Sequence, residues 1–212
     1  MKADIRDMPA MKEAVERAVK DFGKLDIAVA NAAIQIYGSL AEMSDDNWKN
    51  VIDVNLTGTA NTLRAVIPHM LSNKSGRIVI IASGQGRHGF KNGSAYSASK
   101  WGVIGLMKSA AWEVGKDGIT VNCVEPGLTD TPMTRNPGRW KGALKEGGKG
   151  PKENPTEQDV IAARLPQAVM GIPWMQPDDV APAVVFLCTD AANRVSGATY
   201  DATAGDSVKY TA

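Results

Sequence analysis

Residues 83–102 read SGQGRHGFKNGSAYSASKWG, and two patterns compete within them. Gly84-Gln85-Gly86-Arg87-His88-Gly89 has the G-x-G-x-x-G form of a dinucleotide-binding loop. Tyr96 and Lys100 stand one helical turn apart, with Ser83 just before the first glycine. A dinucleotide loop needs a helix to begin at its glycines, so that the free N–H groups of the first turn face the pyrophosphate. It also needs an acidic residue about 20 positions further on. Here the glycines run into Phe90-Lys91-Asn92-Gly93, which is turn chemistry. The position about 20 residues on falls near Ile104, with no carboxylate there. The glycine match therefore reads as a loop after a strand, and the chemistry passes to Ser83, Tyr96 and Lys100.

Tyr96 and Lys100, at i and i+4, share one helix face. Ala95, Ala98, Trp101, Val103, Ile104, Leu106, Met107, Ala110, Ala111, Trp112 and Val114 make that helix nearly apolar all round. Such a helix is expected to be covered on most sides. A lysine buried at its start is costly without a partner or purpose. A purpose exists. A free tyrosine titrates near ~10 and is a poor base at neutral pH. A cation ~4 Å away contributes about 4 kcal/mol at an effective dielectric of ~20, on the order of three pK units before desolvation. A phenol so tuned exchanges a proton with an alcohol or ketone oxygen. Ser83, at the carboxyl end of a strand, is placed to bond the same oxygen. Asn55 shares a helical face with Trp48, Val51 and Ile52, so its amide is expected to be buried and to need partners.

Outward from this stretch, helices and apolar strands alternate. Met11 to Phe22 has helical spacing, with Asp7 to cap it and Gly23 to end it. Residues 25–32, LDIAVANA, read as a strand buried on both faces. Ser44 starts a helix running to about Leu71, and 77–83 form a strand. A helix covers 95–114, and 119–127 form a strand. Residues 178–188 are helical, and 197–203 form a last strand. The pattern predicts one α/β domain over 1–212, a parallel sheet with helices on both faces. Residues 134–176, rich in Gly, Pro, Lys and Arg, read as a long lid loop. Met170, Ile172, Trp174 and Met175 are expected to give it an apolar inner face.

The bulk properties exclude several classes. The chain has 212 residues, 43% hydrophobic and 22% charged, with a net charge of +1. Nothing in that balance calls for nucleic acid or a membrane as partner. No stretch reads as a signal peptide or as an apolar run of membrane-spanning length, and the expectation is a cytoplasmic protein. Cys123 and Cys188 read as reduced thiols, and with only two histidines a metal site is not expected. Ser83 as a hydrolase nucleophile lacks a G-x-S-x-G elbow.

With these motifs in order, the chain resembles the short-chain dehydrogenase/reductases from about residue 3 onward. ANAAI at 30–34, VNLTG at 54–58, YSASK at 96–100 and PGLTDTPM at 126–133 carry the resemblance, together with a thirteen-residue step from Ser83 to Tyr96. It implies a Rossmann-like fold and an NAD or NADP cofactor. It implies Tyr96 as general acid/base, Lys100 as its partner and a ribose ligand, Ser83 orienting the substrate oxygen, and Asn55 supporting a proton-relay water. It places Asp4 and Ile5 beside the adenine, Asn31 and Ala32 along the cofactor cleft, and Gly127, Thr129 and Thr131 near the nicotinamide. It also implies a homodimer or homotetramer. The closing SGATYDATAGDS and the long lid resemble the family's carveol-dehydrogenase-like branch, which implies a small hydrophobic, cyclic or terpenoid alcohol or ketone as substrate, in preference to a charged one. Ala30 and Ala33 stand where the family often has Asn and Gly. The family's opening strand, glycine-rich turn and following strands have no counterpart before Asp4, about 60 residues at ~30 per βαβ step. The expectation is a sheet without its first strands, with a bare edge at 26–32 and weak dinucleotide binding. The rival is a catalytically weak remnant that serves as an oligomerisation or interaction module.

Overall fold

The protein is described from a computed structural model over residues 1–210. Four strands, β1 (Ile27–Ala30), β2 (Gly76–Ile81), β3 (Ile119–Pro126) and β4 (Thr199–Ala202), pair in parallel in the order β1-β2-β3-β4. Parallel neighbours require crossovers, and helices supply them. Helix α1 (Met8–Phe22) precedes β1, and Asp7 caps it through the Ala10 N–H. Gly23 ends α1 with φ 84°, a left-handed turn suited to glycine. Helices α2 (Asp45–Ile52) and α3 (Gly58–Asn73) link β1 to β2. Helix α4 (Ser94–Val114) links β2 to β3. Helices α5 (Pro137–Glu146), α6 (Glu157–Arg164) and α7 (Pro177–Cys188) lie between β3 and β4.

The two-residue strand period sorts the apolar residues onto two faces. Ile78, Ile80, Val121 and Cys123 join Val15 of α1, Leu63 and Met70 of α3, and Val103 and Met107 of α4 in one core. Val79 and Val124 face the other way, onto Val180 and Leu187 of α7. Helices thus cover both faces, as the uninterrupted apolar runs predicted. Both cysteines are free thiols, and burial pushes Cys123 up to about 12. No helix among the described residues is long and apolar enough to cross a membrane.

Three expectations are corrected. First, β1 is not buried on both faces: Ala28 and Ala30 pack on the first core, but Ile27 and Val29 are 45% and 46% exposed. The reason is that α7 lies over β2, β3 and β4 and stops short of β1. Second, α4 is not covered all round, since Trp101 and Trp112 face outward at 52% and 90% exposure. Third, 134–176 is no structureless loop. Asn136 and Thr156 cap α5 and α6. The two helices share a small core of Ala143, Leu144, Val160 and Ala163 beside the edge-to-face Trp140–Trp174 pair. Nor does this segment have one apolar inner face. Met170 and Ile172 are exposed, Trp174 packs on the small core of α5 and α6, and Met175 is buried with Val79 and Val124 of the sheet.

Candidate active site

The carboxyl ends of β1, β2 and β3 open into one cleft of about 950 Å³. Asn31 and Ala32 follow β1, Ser83 follows β2, and Gly127 follows β3; all four line it, with Tyr96, Lys100, Thr129 and Thr131. Ligands bind open α/β sheets at such strand ends. Asp4, Ile5 and Asn55 stand outside the lining.

Ser83 is held where β2 gives way to the glycine turn. Its Oγ accepts the Gln85 N–H at 3.2 Å, and its side chain also bonds Tyr96. The glycines Gly84–Gly86 form a single 3-10 turn, and no helix starts on them. Gly93 instead precedes α4, which brings Tyr96 and Lys100 in from its first two turns. Tyr96 is 7% exposed. Burial raises its phenol to about 12, against which the Ser83 hydrogen bond acts, and Arg139 lowers it more weakly than Tyr37 raises it. Lys100 is 3% exposed, and its Nζ donates to the Ile81 carbonyl at 2.7 Å. Burial brings that amine down to about 8. The expected lowering of Tyr96 by Lys100 is therefore not what governs the phenol in this state. The amine lies 5.7 Å from the ring centroid, is turned to a carbonyl, and burial of the hydroxyl dominates.

Asn55 sits in a π turn, Asp53–Thr57, that joins α2 to α3 in one continuous helix. Such turns often mark functional positions, because the extra residue redirects side chains. The Asn55 side chain accepts the Ile34 N–H at 2.8 Å and donates to Ile34 O at 2.9 Å and Ser99 Oγ at 3.0 Å. It ties the segment after Asn31 to α4 behind Tyr96. Asp4 pairs with Arg6 at 2.6 Å, and Ile5 packs against Gly58. At Gly127 a Cβ would come within 2.9 Å of the Thr203 backbone, so only glycine fits there. Thr129 donates to Gly127 O at 3.2 Å, and the Thr131 N–H reaches Thr134 Oγ at 3.1 Å, which fixes the turn beyond.

The cleft also contains groups the sequence reading did not select. Gln85, Phe90 and Arg139 line it near Tyr96, and Tyr210 stacks on His88 with ring centroids 4.6 Å apart. No local motif marks them. Behind the glycine turn, Glu125 is fully buried on β3. Arg87 approaches it at 3.5 Å and Asp201 at 3.6 Å, and bonds Thr199 Oγ1 at 3.2 Å. Burial, then the hydrogen bond with Asp201, raises the Glu125 carboxyl from 4.5 to about 8, with Arg87 opposing. The folded chain then keeps this proton after the unfolded chain has released its own. The resulting stability is complete below pH 4.5 and is lost as pH rises through about 8. Thermal midpoints are expected to fall between pH 5 and pH 8.5, and Glu125→Gln should flatten that slope. An equal slope in both proteins would remove Glu125 as its source.

A doubly covered parallel sheet with a strand-end cleft holding Ser, Tyr and Lys defines a nucleotide-dependent oxidoreductase architecture. The family described as short chain dehydrogenase matches residues 1–142, two thirds of the length. The chain belongs to this family and is an enzyme of it. A (-)-trans-carveol dehydrogenase of Rhodococcus erythropolis is 36% identical over 209 residues, covering 98% of this chain and 74% of that one. A carveol dehydrogenase of Mycobacterium avium, solved in complex with NAD, superposes with a TM-score of 0.92 at 35% identity, over 98% of this chain and 74% of that one. A levodione reductase superposes at 0.82 with 28% identity, over 98% of this chain and 76% of that one.

Proposed function

We propose that this protein interconverts a secondary alcohol with an apolar body and its ketone, using NAD or NADP. The observation that carries the reading is the convergence of Ser83, Tyr96 and Lys100 on one strand-end cleft. The residues present fit a dinucleotide. Asn31, Ala32, Gly127, Thr129 and Thr131 line the same cleft at the strand ends. The similar carveol dehydrogenase was solved with NAD. When bound, the nicotinamide cofactor supplies the hydride acceptor. Ser83 orients the alcohol oxygen, and Tyr96 takes its proton as the carbonyl forms. Lys100 assists as a cation beneath the phenol and as a ribose ligand. Asn55 acts as a positioning residue behind them and supports proton relay. Asp4 and Ile5 border the adenine end. Met133, Val180 and Val184 give the cleft apolar walls for the substrate body.

NADH fluorescence titration, followed by a panel of cyclic and acyclic secondary alcohols with NAD, tests this. Saturable binding and ketone formation are expected. Binding without turnover of any alcohol would favour the weak-remnant reading. The outward Trp101 and Trp112 of α4 support pairing with a second copy of this chain. Light scattering at micromolar concentration is expected to give at least twice the mass of one chain, and a monomer would rule this pairing out.

A further inference from the structure

Arg139 is a cleft-lining cation with no carboxylate partner among the described residues. Its neighbours are matched. Arg164 and Lys209 both face Asp206, at 3.8 Å and 2.9 Å, and Arg135 is held by Asp130 and Glu157. Arg139 instead lies beside a tilted pair of aromatic rings whose centroids are 5.7 Å apart, its guanidinium carbon 5.4 Å from the Tyr37 centroid and 5.1 Å from that of Phe90. One Nη donates to the Tyr37 hydroxyl. Its Nε is buried and has no hydrogen-bond partner. The aromatic pair favours the cation at this place, and the second Nη, which donates to no group among the described residues, is left for a ligand in the cleft.

The position of that donor matters more than its charge. The Tyr37 hydroxyl also accepts from Gln85 Nε2 at 3.2 Å, and Gln85 Oε1 accepts from Ser97 Oγ at 3.2 Å. Gln85 lies two residues after Ser83, and Ser97 directly follows Tyr96. Arg139 is thereby fastened to the segment between the two groups that would hold the reacting oxygen. Its field reaches the Tyr96 hydroxyl. Among the described residues, the cations lining the cleft, Lys100, Arg139, Arg164 and Lys209, outnumber the one lining carboxylate, Asp206.

We infer that the substrate carries a carboxylate a few bonds from its carbinol carbon, and that Arg139 binds it through its second Nη. The inference rests on the alcohol–ketone reading above and narrows it to hydroxy acids and keto acids with an apolar body. It reverses the expectation of an uncharged substrate. Arg139 supplies a cationic donor that a neutral alcohol leaves unused.

The test compares 3- and 4-hydroxy acids of increasing apolar size with their methyl esters, in wild type, Arg139→Met and Arg139→Lys. In wild type the acids should exceed their esters in kcat/KM by on the order of 100-fold, the scale of a lost charge-assisted contact. Arg139→Met should lower kcat/KM for the acids far more than for the esters, so that the preference shrinks to within about threefold, and Arg139→Lys should restore part of it. Equal use of acids and esters by wild type, or an equal loss on both in Arg139→Met, overturns the inference and leaves the alcohol–ketone reading standing. Failure of every alcohol, neutral or charged, overturns that reading instead. Calorimetry keeps the inference falsifiable without turnover. Phenylacetate should bind wild type about tenfold more tightly than Arg139→Met, and equal binding counts against it.

Discussion

Tyr96→Phe is expected to lower kcat for alcohol oxidation about a thousandfold, within the range a positioned acid–base group contributes. Cofactor affinity should stay within about twofold, since the ring keeps its buried place and only the hydroxyl is removed. The hydroxyl is bonded to Ser83, and burial holds its proton to about 12 without substrate. In that state the phenol is an acid, suited to protonating a ketone oxygen near neutral pH. Oxidation requires its deprotonated form, so its rate should climb as pH rises into the alkaline range, while ketone reduction should not. Stopped-flow absorbance at 340 nm, read against pH in both directions, checks each part. A Phe variant retaining a tenth of wild-type turnover would exclude Tyr96 as the proton-transferring group.

Asn55→Ala is expected to destabilise the fold by about 3 kcal/mol, because it leaves the part-buried Ile34 N–H and carbonyl without their amide partner and takes away the donor to the Ser99 hydroxyl, which keeps only its bond to the Tyr96 carbonyl. For a chain of this size, that corresponds to a fall in thermal midpoint of roughly 6–12 °C. A purely catalytic role would leave the midpoint unchanged and lower only kcat. A purely structural one would lower the midpoint and restore full kcat below it. Asn55 bonds Ile34, which packs on the cluster containing Tyr96, and Ser99, which donates to the Tyr96 carbonyl, so both quantities are predicted to fall. Differential scanning calorimetry and turnover measured well below the midpoint separate the outcomes.

The alternation of helix and apolar strand was legible because its determinants are local. Asp7, Gly23 and Ser44 act within a few residues of the helix ends they set. The strand runs around Val79 and Val121 are apolar on both faces whatever covers them. Ser83, Tyr96 and Lys100 were legible for the same reason: a strand end and one helical turn place them without long-range information. The exposure of Ile27 and Val29 was not, because it depends on where α7, some 150 residues later in the chain, stops crossing the sheet. The π turn at Asn55 was hidden because a single added residue barely alters an apolar period. The ionisation of Tyr96, Lys100 and Glu125 depends on how much water the folded chain excludes from each, a quantity no spacing contains. Arg139 meets Tyr37 across 102 residues. In sequence it is one basic residue in a glycine- and lysine-rich stretch, and only the packing of α5 against the cleft sets it beside two aromatic rings.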